Sequence, residues 1–414
     1  MQTERTLTLA DVDLSDPGLF VDHVPHEVFR LLRREAPVFW NKEQEGRGFW
    51  AVTTYADLMA VSHDWKTFSS HEGAVFMFDP EPQVLADLQL MMLNMDPPQH
   101  AKLRRLVKTG FTARLLRRVE PHIRDVCNQI IDRVCEKGEC DFVTDVAAEL
   151  PLQVIAEIMG VPQEDRHMLF DWSNRLIGFD DPEFQTSEED GRVAAGEVYM
   201  YSNQLAQQRK GKLGEDLVSI LMEAEVEGER LTELEFNLFF LLLAVAGNET
   251  TRNAISGGML ALIENPDERA RLLADRSLMP LAVEEIVRYI SPVMYFRRTA
   301  LNETEIHGQK IAQGDKVLIY YISANRDEDV FPEPDRFDVG RTPNEHIGFG
   351  GGGPHFCLGS NLAPLEIRIM FDELMRRIPD MELSGPVSRL RSNFIAGIKH
   401  MPVTFTPQRA EGAK

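Results

Sequence analysis

A lone cysteine, Cys357, stands inside Phe349-Gly350-Gly351-Gly352-Gly353-Pro354-His355-Phe356-Cys357-Leu358-Gly359, and an apolar-periodic stretch follows it at once. Glycine has no Cβ, so such a loop folds tightly and brings its own N–H groups close to a bound group. A thiolate held there, at the start of a helix from Leu358 to Leu374, is stabilised by those N–H groups and by the positive end of the helix. In that setting it can ligate haem iron and push electron density onto it, which favours O–O cleavage. Three plainer readings compete. A phosphate-cradling loop needs Gly-Lys-Ser/Thr after the glycines, where Pro354-His355 stand. A flexible linker is not followed directly by a periodic helix. A buried structural cysteine is the ordinary use of a single thiol, and the loop alone leaves that reading open.

Three further constellations carry chemistry. Asp96-Pro97-Pro98-Gln99-His100 reads as a turn entering a helix, with His100 and Arg104 on one face at i, i+4. From His100 to Arg118 the chain holds Lys102, Arg104, Arg105, Lys108, Arg114, Arg117 and Arg118 and no acidic residue. On a protein of net charge −22 such an island steers an acidic partner; its plainer meaning is a solvated helix face. Thr232-Glu233-Leu234-Glu235 is a capping box opening an apolar run that proline stops near Asn265-Pro266. A helix of about 33 residues is about 50 Å long, and Ala246-Gly247-Asn248-Glu249-Thr250-Thr251 lies in its middle. Glycine, a carboxylate and two threonines there cost helix propensity and risk burying charge; a threonine hydroxyl bonding a carbonyl loosens the helix locally. Read alone, this is a satisfied buried Glu beside a structural Thr. Glu285-Ile286-Val287-Arg288 places an acid and a base at i, i+3 on another helix, a pairing common on helix surfaces and weak there.

Taken together these strings resemble the cytochrome P450 family. The glycine loop resembles its haem-binding loop, one glycine longer than the usual pattern. The Asp96 segment resembles its D-P-P-x-H-x-x-x-R motif, and the Ala246 string its oxygen-activation motif, A/G-G-x-D/E-T. What the resemblance implies follows residue by residue. Cys357 is the axial thiolate of haem b, and His355 and Gly359 belong to its loop. His100, Arg104 and Arg298 bind the propionates, with Arg298 preferred to Arg297. Thr250 hydrogen-bonds the oxygen being activated and Glu249 relays protons from bulk water. Glu285, Arg288 and Arg336 form a structural Glu–Arg–Arg network that fixes the cysteine loop. The implied fold is the mainly helical P450 prism with a smaller β-rich part near the N-terminus and around residues 293–323, taking residues 1–414 as one domain. Phe349 or Phe356 packs near the thiolate, and Pro364 sits inside the following helix, where it removes an N–H.

Composition fits a cytoplasmic enzyme. The 414 residues can bury a large core, and no linker or repeat interrupts them. Four cysteines form neither a disulfide framework nor a zinc pair. Met1 to Phe20 is charged, without the apolar stretch of a signal peptide or anchor, and Leu238 to Ala246 is too short to span a bilayer. The acidic balance excludes nucleic acid as a general partner.

The segment Gly73 to Met95 is expected as a lid, with Val75, Phe76, Met77, Phe78, Met91 and Met92 facing a bulky apolar substrate, joined by Leu242, Ala246, Val293, Met294 and Phe394. Stretches such as Ser323 to Asp327, His346 to Gly351 and Phe394 to Pro402 look most like actinobacterial P450s that hydroxylate terminal methyl groups of sterol side chains and methyl-branched lipids. A terpenoid hydroxylase is the alternative. By the same resemblance, electrons come from NAD(P)H through a ferredoxin reductase and an acidic ferredoxin docking at the basic run. A haem-thiolate sensor or a peroxide-driven enzyme is the reading of another class; the Glu249-Thr250 pair speaks against it, since proton delivery is needed when O2 is cleaved with external electrons.

Overall fold

The computed structural model describes the backbone of residues 7–44, 46–108, 113–185, 187–214, 216–226 and 229–411, and their side chains except those of 108, 113–118, 188, 226 and 229. The expected basic run is therefore seen only in part, the side chains of Lys108, Arg114, Arg117 and Arg118 lying outside the described residues, as do Met1 to Thr6.

The architecture is mainly helical with a smaller β part. The helices that matter for the site are α1 (Tyr55–His63), α2 (Gln99–Lys108), α3 (Ala113–Val134), α4 (Glu149–Met159), α5 (Arg166–Ile177), α6 (Glu188–Arg209), α7 (Glu233–Glu264), α8 (Met279–Ile290) and α9 (Leu362–Arg377). α7 is the axle. The Thr232 hydroxyl accepts the Glu235 N–H while the Glu235 carboxylate accepts the Thr232 N–H at 2.8 Å, so the expected capping box is formed. Beyond this cap the helix runs 32 residues and is apolar nearly all round. A helix of that kind must be covered on every side, and α4, α5, α6, α8 and α9 pack against it. Their shared core holds Phe142, Ile155, Phe240, Ile255, Ile286 and Phe371.

Five strands make the main sheet: β1 (Val38–Asn41), β2 (Phe49–Val52), β3 (Phe68–Ser69), β4 (Tyr295–Ala300) and β5 (Lys316–Tyr320), in the order β1-β2-β5-β4-β3. β5 is wholly buried and reads as a continuous apolar run after Lys316, the pattern of a strand covered on both faces. It pairs parallel to β2 and antiparallel to β4, with Val317 opposite Arg298 and Ile319 opposite Phe296. Strand alternation then sets Phe296 and Arg298 on one face of β4 and Tyr295 and Arg297 on the other. A smaller sheet joins Glu139–Asp141, Pro402–Thr404 and Glu382–Leu383. No helix among the described residues is long and apolar enough to cross a membrane.

α9 starts at Leu362, four residues later than the periodicity predicts, because Leu358 to Asn361 form a turn. Pro364 is thus the third residue of the helix. Its missing N–H would have had no intrahelical partner there, so the helix is not broken.

Candidate active site

The glycine loop is pinned at both ends. Ile347 N–H donates to Asn325 Oδ1 at 2.8 Å, and Cys357 N–H donates to the Phe349 carbonyl at 2.8 Å. Between these anchors Gly350, Gly352 and Gly353 take φ of +103°, +77° and +71°, the left-handed region that L side chains rarely adopt. The added glycine has a tertiary reason as well. A Cβ at Gly353 would lie 2.4 Å from the carbonyl oxygen of Ser62, at the end of α1, so the longer loop lies directly on that helix. Phe349 packs against the main core, whereas Phe356 is 42% exposed; of the two aromatics, Phe349 is the inward one.

The Cys357 thiol has two opposing influences. Burial pushes it up, and the Gly359 N–H and the Arg104 guanidinium pull it down. The helix N-terminus expected next to the sulfur is replaced by that single N–H, since α9 begins five residues on.

α2 brings the second group. Asp96 accepts from Ser69 Oγ and, at 2.9 Å, from Ser70 N–H, fixing the start of α2 to β3. One turn on, His100 is 2% exposed, with its ring centroid 4.3 Å from that of His355. Another turn on, Arg104 donates through Nη2 to the Phe356 carbonyl, tying α2 to the cysteine loop. From β4, Arg298 is 5% exposed and donates to the Arg297 carbonyl at 2.8 Å. Its neighbour Arg297 is already matched, with Asp79 at 2.8 Å and the Phe78 carbonyl at 2.9 Å. No carboxylate among the described residues makes an ion pair with Arg298 or Arg104.

The buried His100 and Arg298 and the half-buried Arg104 and His355 therefore form a cluster in which Asp96 is the one carboxylate acting on His100 and Arg298 among the described residues, itself occupied by two serines. Burial and the arginines hold His100 down at about 4 and His355 well below the usual imidazole range. His355 Nε2 is buried without a hydrogen-bond partner. The cluster's two arginines are short of negative charge, since charges removed from water need a counterpart. A group bearing two carboxylates and a metal open to thiolate, as haem does, fits this donor set.

On α7 the Glu249 and Thr250 side chains part company. Thr250 Oγ1 donates to the Ala246 carbonyl at 2.9 Å; Ala246 is exposed and Thr250 partly so in the middle of a largely buried helix. Glu249 is 1% exposed and paired with Arg252, while its Oε1 has no partner. Burial raises its carboxyl and Arg252 opposes the rise. Arg252 Nη1 in turn donates to Asn174 Oδ1 of α5 at 2.8 Å. Asn248 and Asn253 are buried with both side-chain polar atoms unpartnered, so a polar seam runs beside Glu249. The sequence reading missed Arg252, although its i, i+3 spacing from Glu249 repeats that of Glu285 and Arg288. A Cβ at Gly247 would lie 2.8 Å from Ile155 Cδ1, so glycine lets α4 approach.

The Glu–Arg–Arg network is present with one member changed. Glu285 and Arg288 are fully buried and bond twice, at 2.7 and 2.8 Å. The second arginine is Arg341, whose Nε reaches both Glu285 oxygens at 3.1 Å. Arg336 has its side chain 53% exposed and gives the network only its carbonyl. Among the expected substrate-facing residues, Met294 is fully buried and Met92 belongs to the helical core, while Phe76, Leu242 and Val293 are partly open.

The family model "Cytochrome P450" matches residues 17–379. A steroid C26-monooxygenase of Rhodococcus jostii is 42% identical over 402 residues, covering 95% of this chain and 84% of that one. A methyl-branched lipid omega-hydroxylase of Mycobacterium tuberculosis is 43% identical over 410 residues, covering 96% and 95%. The solved structure of a Mycobacterium marinum cytochrome P450 in complex with pseudoionone superposes with a TM-score of 0.89 at 38% identity, covering 97% of this chain and 99% of that one. With the cysteine loop and its cationic cluster, these likenesses establish that the chain belongs to the cytochrome P450 family of haem-thiolate monooxygenases.

Proposed function

We propose that this protein hydroxylates a terminal methyl group of a branched aliphatic chain carried on a bulky apolar molecule, a sterol side chain or a methyl-branched lipid. The observation that carries the reading is similarity above 40% along nearly the whole chain to two hydroxylases named for such substrates. The pseudoionone complex of the M. marinum relative favours a second, terpenoid reading. The three ligand types share a methyl-branched acyclic end, so they divide on the remainder of the molecule.

The geometry supports the residue roles in this reading. Cys357 would hold the haem iron through its sulfur, and Gly359 N–H supports its thiolate. His100, Arg104, Arg298 and His355 would hold the propionates, the two arginines gaining the negative charge they lack and the neutral histidines offering hydrogen bonds. The haem supplies O2 activation with electrons delivered from outside. Thr250 orients a hydrogen bond at the opening beside Ala246. Glu249, whose carboxyl burial raises against the pull of Arg252, is the relay that would pass protons along the buried polar seam toward that opening. Phe76, Phe296 and Phe394, in edge contact at 5.2 and 5.8 Å, exclude water.

Arg104 ties α2 to the loop of Cys357, so the exposed Arg105 belongs to the same side, where an acidic ferredoxin would dock and pass electrons from NAD(P)H and its reductase. The test is a titration of the haem-loaded protein with a sterol enone, a phytanyl lipid and a terpene alcohol. Displacement of iron-bound water shifts the absorption spectrum, and product mapping locates the new hydroxyl. Oxidation at ring carbons, with terminal methyls untouched, would refute the proposal.

A further inference from the structure

A cavity of about 430 Å³ opens between the N-terminal segment, the start of the loop that follows α5, and the rear face of β4, inside the range of about 300–1,000 Å³ usual for small-molecule sites. Among the described residues four carboxylates line it, those of Asp13, Asp16, Glu43 and Asp180, and no lysine or arginine does. Only Glu43 is neutralised, by Lys316 Nζ at 2.5 Å. Asp13 and Asp16 accept hydrogen bonds from Ser15 and Gly18, and neither they nor Asp180 makes an ion pair among the described residues.

Two buried neutral groups in the same wall are left open. Tyr295 is 1% exposed; its hydroxyl oxygen accepts the Met77 N–H at 3.3 Å, and its own proton has no acceptor among the described residues. Asn393 is 5% exposed; its amide donates to the Leu14 and Ser15 carbonyls at 3.2 Å, and its carbonyl oxygen accepts nothing there. One free donor and one free acceptor, both held rigid, match a ketone or an alcohol. A carboxylate offers no proton to Asn393 and meets the carboxyl groups of Asp13, Asp16 and Asp180, none of them in an ion pair among the described residues, the last raised by burial against the pull of Arg391.

The cavity borders the proposed reaction site. Phe78 on its wall stacks on Phe76 at 5.6 Å, Phe76 meets Phe394, and Phe394 meets Phe296 on the Arg298 face of β4. Tyr295 lies three residues before Arg298, about 10 Å along the strand.

We propose that this cavity holds the polar end of the substrate and selects an uncharged oxygen, ketone or hydroxyl, over a carboxylate. The inference rests on the branched-chain reading above and narrows it to neutral sterols and lipid alcohols, excluding free fatty acids. Repulsion between like charges a few ångströms apart at a partly solvated site weakens binding by about ten-fold.

The test titrates the haem-loaded protein at pH 7.5 with phytanol and phytanic acid, identical but for the head group, and follows the spectral shift. The alcohol should bind about ten-fold tighter. An alcohol is also the less hydrated head, so the variants decide. Asp16→Asn combined with Asp180→Asn should tighten the acid several-fold and leave the alcohol unchanged. Tyr295→Phe should weaken the alcohol and leave the acid unchanged. An acid that binds wild type as tightly as the alcohol, or a gap that the double variant does not narrow, overturns the inference and leaves the branched-chain reading standing. If neither phytanyl probe nor a sterol enone shifts the spectrum, both fall together.

Discussion

Glu366→Gln should stabilise the protein at alkaline pH and remove much of its loss of stability between pH 5 and 8. Glu366 lies in the second turn of α9, 2% exposed, with Oε2 buried and unpartnered. Burial alone pushes its carboxyl from the ordinary 4.5 up to about 8. A raised folded-state value means that the folded protein binds a proton which the unfolded chain gives up. The stabilisation is therefore complete below pH 4.5 and is lost as pH rises through 8. At about 1.4 kcal/mol per pH unit, the loss across that window is on the order of 4–5 kcal/mol. Local hydration lowers this figure, so the variant should gain at least about 2 kcal/mol over wild type at pH 8.5 and little at pH 5.5. Glutamine has the size and polarity of the protonated acid, so packing is unchanged. The assay is urea unfolding of the haem-loaded protein at pH 5.5, 7 and 8.5, followed by the fluorescence of its four tryptophans. Other titrating groups contribute equally to both proteins, and only the difference is read. Equal pH slopes, or a variant less stable at pH 8.5, would show that Glu366 is ionised and paired.

Glu285→Gln should cost about 3–5 kcal/mol of folding stability, because Arg288 and Arg341 would be left as buried cations without a counter-charge; Arg336→Ala should stay within about 0.5 kcal/mol, and thermal melts separate the two. Thr250→Ala should still consume reducing equivalents but release much of the oxygen as hydrogen peroxide, whereas Glu249→Gln should slow the whole cycle; unchanged coupling in both, from NADH consumed against product formed, removes these residues from proton delivery. Arg105→Glu should weaken ferredoxin-driven turnover and its salt dependence while peroxide-driven turnover is kept, since exposed charges act over a Debye length of about 8 Å; reduction insensitive to salt would make the basic stretch only a solvated face.

What the sequence disclosed was local. The Thr232 cap, the turn at Asp96 and the His100–Arg104 spacing depend on neighbours within one helical turn, and each is found as expected. What it concealed depends on which way a side chain points after a turn. Arg336 and Arg341 both follow Phe331-Pro332, and nothing in their spacing says that only Arg341 turns inward to Glu285. The neighbour that requires Gly247 is Ile155, ninety-two positions earlier in the chain, and no local pattern foretells it. The preference for Arg298 over Arg297 rested on the resemblance, and strand alternation sets the two on opposite faces of β4; Met294, expected at the substrate, is sealed in the core beside β4.

The central claim is that Cys357 holds the iron as a thiolate, in a loop where Gly359 N–H and Arg104 offset the cost of burying its charge. The absorption spectrum of the reduced, carbon-monoxide-bound protein tests it most directly. The account predicts the strongly red-shifted Soret band of thiolate ligation in wild type, and its loss in Cys357→His with haem retained. An unshifted band in freshly prepared wild type, or a red-shifted band that survives Cys357→His, contradicts it.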